Sequence, residues 1–128
     1  MKLFDSSAII NICGRKRLDQ LLEGWTLNLA FYELGNAVWK QVYLYRTLDL
    51  EKAKLVLNTL IEIFNKMRKI NKENTIEILN HVVKNKITYY DAAYLQAAID
   101  NNLILVTDDE KLYNISKKYV NVVTSDEL

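Results

Sequence analysis

Proline is absent from these 128 residues, glycine occurs three times, and cysteine and histidine once each. Each shortage removes a class of chemistry. Cys13 alone forms no internal disulfide and no cysteine zinc site, and nothing points to an oxidising compartment. With His81 the sole histidine, the usual zinc ligand sets are out of reach. No serine or cysteine sits in a nucleophile elbow, so a catalytic triad has no support and His81 reads as a structural residue of a helix. Gly14, Gly24 and Gly35 make neither a P-loop nor a dinucleotide fingerprint. No apolar run reaches the ~20 residues of a membrane span, and Lys2 followed at once by Asp5 does not resemble a signal peptide. The expected setting is the cytoplasm, with no membrane partner.

Charge of either sign is also not in excess. Seventeen basic residues balance sixteen acidic ones, so a nucleic-acid partner has to be held by a local patch rather than by the whole domain. Basic residues do gather in Arg15-Lys16-Arg17, from Lys66 to Lys72, at Lys84 and Lys86, and in Lys117-Lys118. The plainer reading of each is a solvated helix end.

What is present is the composition of an ordinary globular chain, 50% apolar and 26% charged. With no low-complexity stretch, repeat or composition shift, residues 1–128 are expected to form one domain. Short apolar runs alternate with helical stripes. Lys2-Leu3-Phe4 precedes Asp5-Ser6-Ser7, a helix-capping signal. Leu18, Leu21 and Leu22 keep helical spacing up to Gly24, where a helix is expected to stop, and Trp25–Leu29 reads as a second strand. Ala30 to Arg46 reads as a long helix with Phe31, Leu34, Val38, Trp39, Val42, Tyr43 and Tyr45 on almost every side, so its outer face is expected to meet a partner. Asp49 caps a further amphipathic helix carrying Ala53, Val56, Leu57, Leu60, Ile61 and Phe64, and the two make a helical arm. Helices are expected from Asn74 to Val83, after the Thr88 cap, and from Lys111 to Lys118. Leu103–Val106 and Val120–Thr124 read as strands. Wholly apolar strands alternating with helices imply an α/β fold, a three-layer α/β/α sandwich around a central parallel sheet.

Two of these strands end in acids, at Asp5 and at Asp108-Asp109, and ligands of open parallel sheets lie beyond the carboxyl ends of the strands. Glu33 and Asp91, each near a helix start, can reach the same edge. The helix dipole alone favours one acid at such a position by ~0.3–1 kcal/mol. Four acids at corresponding positions with otherwise apolar neighbours ask for more than that. Grouped carboxylates repel unless a cation holds them, and an all-oxygen donor set suits Mg²⁺ or Mn²⁺. That is the chemistry of phosphodiester cleavage. Tyr89, Tyr90 and Tyr94 beside Asp91 are candidates for stacking on bases, with packing the commoner role of such aromatics.

These residues resemble those of PIN domains, and within them the VapC-like toxins of toxin–antitoxin pairs. The resemblance spans essentially the whole chain. It rests on Leu3-Phe4-Asp5-Ser6-Ser7-Ala8, on Glu33 within Phe31–Ala37, on Thr88-Tyr89-Tyr90-Asp91-Ala92-Ala93-Tyr94-Leu95-Gln96-Ala97-Ala98, and on Leu105-Val106-Thr107-Asp108-Asp109. It implies a metal-dependent endoribonuclease acting on single-stranded or looped RNA. Asp5 and Asp91 would be the principal ligands of Mg²⁺ or Mn²⁺, completed by Glu33 and by the acid after Thr107. The family's Thr-x-Asp pattern selects Asp109, with Asp108 a rival able to share the role. Ser6 stands where the family uses a hydroxyl after the first acid, and Ser7 follows it. The resemblance also implies a homodimer and a small antitoxin that wraps the helical arm. A non-catalytic PIN-like module binding RNA or protein is the alternative, disfavoured because a scaffold does not need all four acids. A DNA-directed 5′-nuclease or flap nuclease ranks last, because the short chain lacks room for DNA-clamping elements.

Overall fold

The structure, a computed structural model, describes residues 1–15 and 17–128; Lys16, in the first basic cluster, lies outside the described residues. In chain order the elements are β1 (Lys2–Phe4), α1 (Ser6–Gly14), α2 (Leu18–Leu22), β2 (Trp25–Leu27), α3 (Ala30–Tyr43), α4 (Leu50–Lys66), β3 (Arg68–Ile70), α5 (Thr75–Asn85), α6 (Tyr89–Asn101), β4 (Ile104–Val106), α7 (Glu110–Ser116) and β5 (Val122–Val123), closed by a 3-10 turn at Ser125–Glu127. The strands pair in the order β3-β2-β1-β4-β5, every pairing parallel.

Strand side chains alternate between the two faces of a sheet, and here both faces are covered. Leu3, Leu27 and Leu105 join a core with Ile78, Ala92, Leu95 and Leu112 from α5, α6 and α7. Phe4 and Val106, one residue further along, join a second core with Ile9, Leu34, Leu60 and Phe64 from α1, α3 and α4. This is the three-layer sandwich expected of the unbroken apolar runs. Helix α6 is buried continuously from Ala92 to Ala98, its four alanines letting it lie close against its neighbours.

The register of β1 on β4 sets Phe4 opposite Val106, and the Asp5 amide donates to the Val106 carbonyl at 3.1 Å. Chain order reverses between these two strands. The crevice beyond a reversal of this kind is the ligand-binding position of doubly wound sheets, and Asp5 and Thr107 stand at its lip.

The basic run from Lys66 to Lys72, read as a solvated helix end, instead contains β3. Only Ile70 of its three residues is buried, so no apolar run announces it. Its cations lie on aromatic faces: the Arg68 guanidinium is 5.5 Å from the centre of Trp25, and Lys69 Nζ is 4.3 Å from that of Phe64 while donating to the Met67 carbonyl at 2.7 Å. Such contacts stabilise through the ring quadrupole.

Gly24, read as a helix stop, does follow the end of α2, and it meets a second need as well. Its φ is not in the left-handed region, but a Cβ there would lie 2.4 Å from Cε2 of the fully buried Phe4 ring. That ring sits between two layers and has no free space to move into. Gly24→Ala is therefore expected to cost about 1–3 kcal/mol, read as a lowered midpoint in urea unfolding; an unchanged midpoint would show that the Phe4 pocket yields freely.

Candidate active site

Asp5 ends β1 and caps α1. Its Oδ1 accepts from the Ala8 amide at 2.9 Å and from the Ser7 hydroxyl at 2.7 Å, while Oδ2 accepts from the Thr107 hydroxyl. The residue is only 5% exposed. Burial raises its pKa to about 6 even against those three donors, and the nearby Asp91 charge adds to the rise. Thr107 Oγ also accepts from the Asp109 amide at 3.1 Å, so one hydroxyl joins the first acid to the loop that bears the fourth.

Glu33 lies in the first turn of α3, where it accepts from the Tyr94 hydroxyl at 2.8 Å. Its carboxyl is pushed up to about 7 by burial first, then by Asp5 and Asp91, against hydrogen bonds from Tyr94 and Ser6 that lower it. Ser6 thus serves Glu33, while Ser7 serves Asp5. Tyr94 corrects one expectation: it is fully buried and cannot stack on a base. Burial and the neighbouring Glu33 hold its phenol well above the usual range, so it remains a donor.

Asp91 sits in the first turn of α6, its amide held by the Thr88 hydroxyl at 3.1 Å. Burial raises its carboxyl and the Asp109 charge raises it further, while the Thr88 bond and the Lys111 ammonium oppose. Asp109 is exposed and caps α7, its Oδ1 accepting from the Leu112 amide at 2.8 Å.

Asp108 parts company with the others. Its Oδ1 accepts from the Ser125 amide at 2.7 Å, and Oδ2 from the Ser125 hydroxyl and the Asn11 amide group, each at 2.6 Å. Against burial, which raises its pKa, these bonds and the Arg15 charge carry it below the usual range. Its own amide donates to Ser7 Oγ at 3.0 Å, and Arg15 donates to Ser125 Oγ at 2.9 Å and pairs with Asp126. The carboxylate is committed to a clasp between α1 and the closing turn, so the expectation that Asp108 shares the fourth acid's role does not fit its surroundings.

Asp5, Glu33, Asp91 and Asp109 are near enough to feel one another's charge. Among the described residues, however, no three Asp, Glu, His or Cys side chains converge tightly enough to enclose a metal ion. The donor set still fits a hard divalent cation. All donors are carboxylate oxygens, several are pushed toward neutrality by burial first and by their neighbours' charges second, and Mg²⁺ needs only one or two carboxylates alongside water and phosphate. Sequence reasoning passed over Thr107 and Tyr94 as donors, and Lys111. Thr107 reads in the sequence only as part of the Thr-x-Asp pattern; its role as a donor to Asp5 emerges once the register of β1 on β4 is known.

Acids gathered from two strand ends and two helix starts, at the reversal point of a parallel sheet, define a class of α/β proteins with a carboxylate-lined crevice. Residues 2–118 match the PIN domain family. The chain belongs to that family. It is 34% identical over 99 residues to a protein named Exonuclease VapC9 from Pyrobaculum aerophilum, over 77% of this chain and 71% of that one. The fold is shared with the crystal structure of PAE2754 from Pyrobaculum aerophilum, at TM-score 0.82 and 23% identity over 98% of this chain and 90% of that one. It is shared more loosely with FitAB bound to an IR36 DNA fragment, at TM-score 0.66 and 16% identity over 100% and 97% of the respective chains.

Two outcomes follow from this geometry. Because Asp5 and Glu33 are raised to about 6 and about 7, the folded protein holds protons that the unfolded chain has released above about pH 4. Their contribution to stability therefore falls as pH rises through that window. In EDTA the melting temperature is expected to drop by several degrees between pH 5 and pH 8, and Glu33→Gln to flatten the drop and raise the value at pH 8. A wild-type melting temperature independent of pH would contradict the raised carboxyls. Separately, Asp108→Ala leaves the Ser125 amide without its partner and is expected to cost about 2 kcal/mol in chemical denaturation. A loss below ~0.5 kcal/mol would mean that the clasp contributes little.

Proposed function

We propose that residues 1–128 act as one metal-dependent ribonuclease unit, cutting RNA internally as the toxin of a toxin–antitoxin pair. The observation that carries this is the coupling of Asp5, Glu33 and Asp91, three acids from separate elements whose carboxyls are all raised at the carboxyl edge of the sheet. Membership of the PIN family and the likeness to a protein named as an exonuclease support a nuclease.

Asp5 and Asp91 would hold Mg²⁺ or Mn²⁺, with Glu33 and Asp109 completing the site and Asp108 left to its clasp. When bound, the ion supplies acidification of water and neutralisation of phosphate charge. Thr107, Ser7 and the Ala8 amide fix the Asp5 carboxylate in one orientation, so that little reorganisation is needed during reaction. Glu33, with a pKa of about 7 and one oxygen held by Tyr94, is the acid best placed to accept a proton from an attacking water near neutral pH. Lys111, whose charge reaches Asp91, lies where it can meet the substrate's phosphates.

The outer face of α3 supports the partners. Phe31, Trp39 and Tyr43 are exposed there, Trp39 and Tyr43 stacked with ring centres 5.7 Å apart. A contiguous aromatic face of this kind suits a homodimer contact and an antitoxin helix. No helix among the described residues is long and apolar enough to cross a membrane, in keeping with action in the cytoplasm.

Purified protein is expected to cut a labelled single-stranded RNA in Mg²⁺ or Mn²⁺ and not in EDTA, giving internal fragments early in the time course. Asp5→Asn and Asp91→Asn are each expected to slow cleavage at least ~10²-fold, with circular dichroism unchanged and thermal stability equal or higher. Cleavage persisting in EDTA or in either variant would overturn the carboxylate mechanism, and a ladder of single-nucleotide losses from one end would replace internal cutting by exonuclease action.

A further inference from the structure

The two acids that begin α3 and α6 are each preceded by a tyrosine, in Tyr32-Glu33 and Tyr90-Asp91. Consecutive helical residues point about 100° apart, so each tyrosine stands at the rim beside its acid. Both are strongly exposed, 76% for Tyr32 and 61% for Tyr90, whereas Tyr94 one turn further along α6 is 1% exposed. The two rings come from different helices and nevertheless line one recess, together with Leu29, Asn36 and Glu33 itself. Glu33 therefore belongs at once to the carboxylate group and to the wall of an apolar recess. Asn36 lies one turn beyond Tyr32 on the same helix and is exposed, with an amide carrying two donors and an acceptor that has no side-chain partner among the described residues.

We infer that this recess is a nucleobase subsite: one unpaired base of the RNA, next to the phosphate at the carboxylates, stacks on Tyr32 or Tyr90 and turns its edge to Asn36. The inference rests on the nuclease reading and specifies the substrate, because a base held in a duplex cannot splay out to reach such a recess. Stacking on aromatic rings tolerates any base, since every base has a π-face. The recess thus fixes where the strand sits more than which sequence it carries. Lys111, whose charge reaches Asp91, and a bound cation act on the phosphate and not on the base. Stacking is a separate attraction that the recess has available for the base. A protein side chain from a partner is the competing occupant, and binding to RNA separates the two.

The test compares affinities in calcium, without cleavage, for a fluorescent single-stranded RNA hexamer and for the same hexamer made abasic at one position at a time. Wild type is expected to lose about tenfold in affinity when one particular base is removed. Tyr32→Leu with Tyr90→Leu is expected to bind the intact hexamer about tenfold more weakly and no longer to distinguish it from the abasic one. Tyr90→Phe with Tyr32→Phe, which keeps the rings, is expected to restore the discrimination. Both tyrosines are exposed, so neither change threatens the fold. If wild type cleaves and binds RNA but the leucine variant discriminates as well as wild type, the subsite is overturned and the nuclease reading stands. If wild type neither binds nor cleaves any RNA, both fail.

Discussion

Burial of the Asp5 carboxylate is the constraint around which the rest is arranged. A charge taken out of water at the junction of two central strands has to be met by donors, and two segments far apart in sequence provide three: Ser7 and the Ala8 amide from α1, and Thr107 from the end of β4. Even so the group remains raised to about 6. The protein keeps an acid where a neutral side chain would be less costly, and the surrounding architecture exists to hold it still. The Thr107 hydroxyl passes that constraint to Asp109, and the Ser7 hydroxyl passes it to the Asp108 amide. Asp108 in turn ties the loop to Ser125 and Asn11. One buried carboxylate therefore sets the conformation of a loop a hundred residues away in sequence.

The sandwich was legible because its central strands are uniformly apolar and its helices begin with readable caps. Asp5, Asp49, Thr88 and Asp109 each accept from a backbone amide three residues on, as their types lead one to expect. The four acids stood out for the same local reason, since they fall at strand ends and first turns. What stayed hidden depended on partners distant in sequence. β3 is an outer strand whose pairing with β2 fixes it, and two of its three residues are cations that a solvated helix end carries equally well. Thr107 marks the fourth segment in the sequence, but its bond to Asp5 shows only when register places the two side by side. Tyr94 looked like its neighbours Tyr89 and Tyr90, and only the closeness of α6 to the sheet separates a buried donor from two exposed rings.

Nor does the sequence distinguish Asp108 from Asp109. Both follow an apolar strand, and either could cap a helix. Asp108 lies beside Asn11 and Ser125, which are close to it in space and far from it along the chain, and their donors consume its lone pairs. Asp109 keeps one oxygen for the α7 cap, is exposed, and lies near enough to Asp91 for its charge to be felt there. The division of labour between adjacent identical residues is thus a property of tertiary contacts. The same holds for the basic clusters. Arg15 is engaged with the closing turn and Lys69 with backbone carbonyls, so neither is available as a general phosphate anchor.

The outermost strands have a consequence for how copies of this protein can meet. An open sheet invites runaway polymerisation when a further strand can add to its rim. Here one rim is β3, of whose three residues Arg68 and Lys69 fold over aromatic rings, and the other is β5, with only two residues. Neither offers a long flat template, so growth of the sheet from molecule to molecule is blocked at both sides. Self-recognition is left to the helical surfaces, where side-chain shape rather than generic backbone pairing decides the partner.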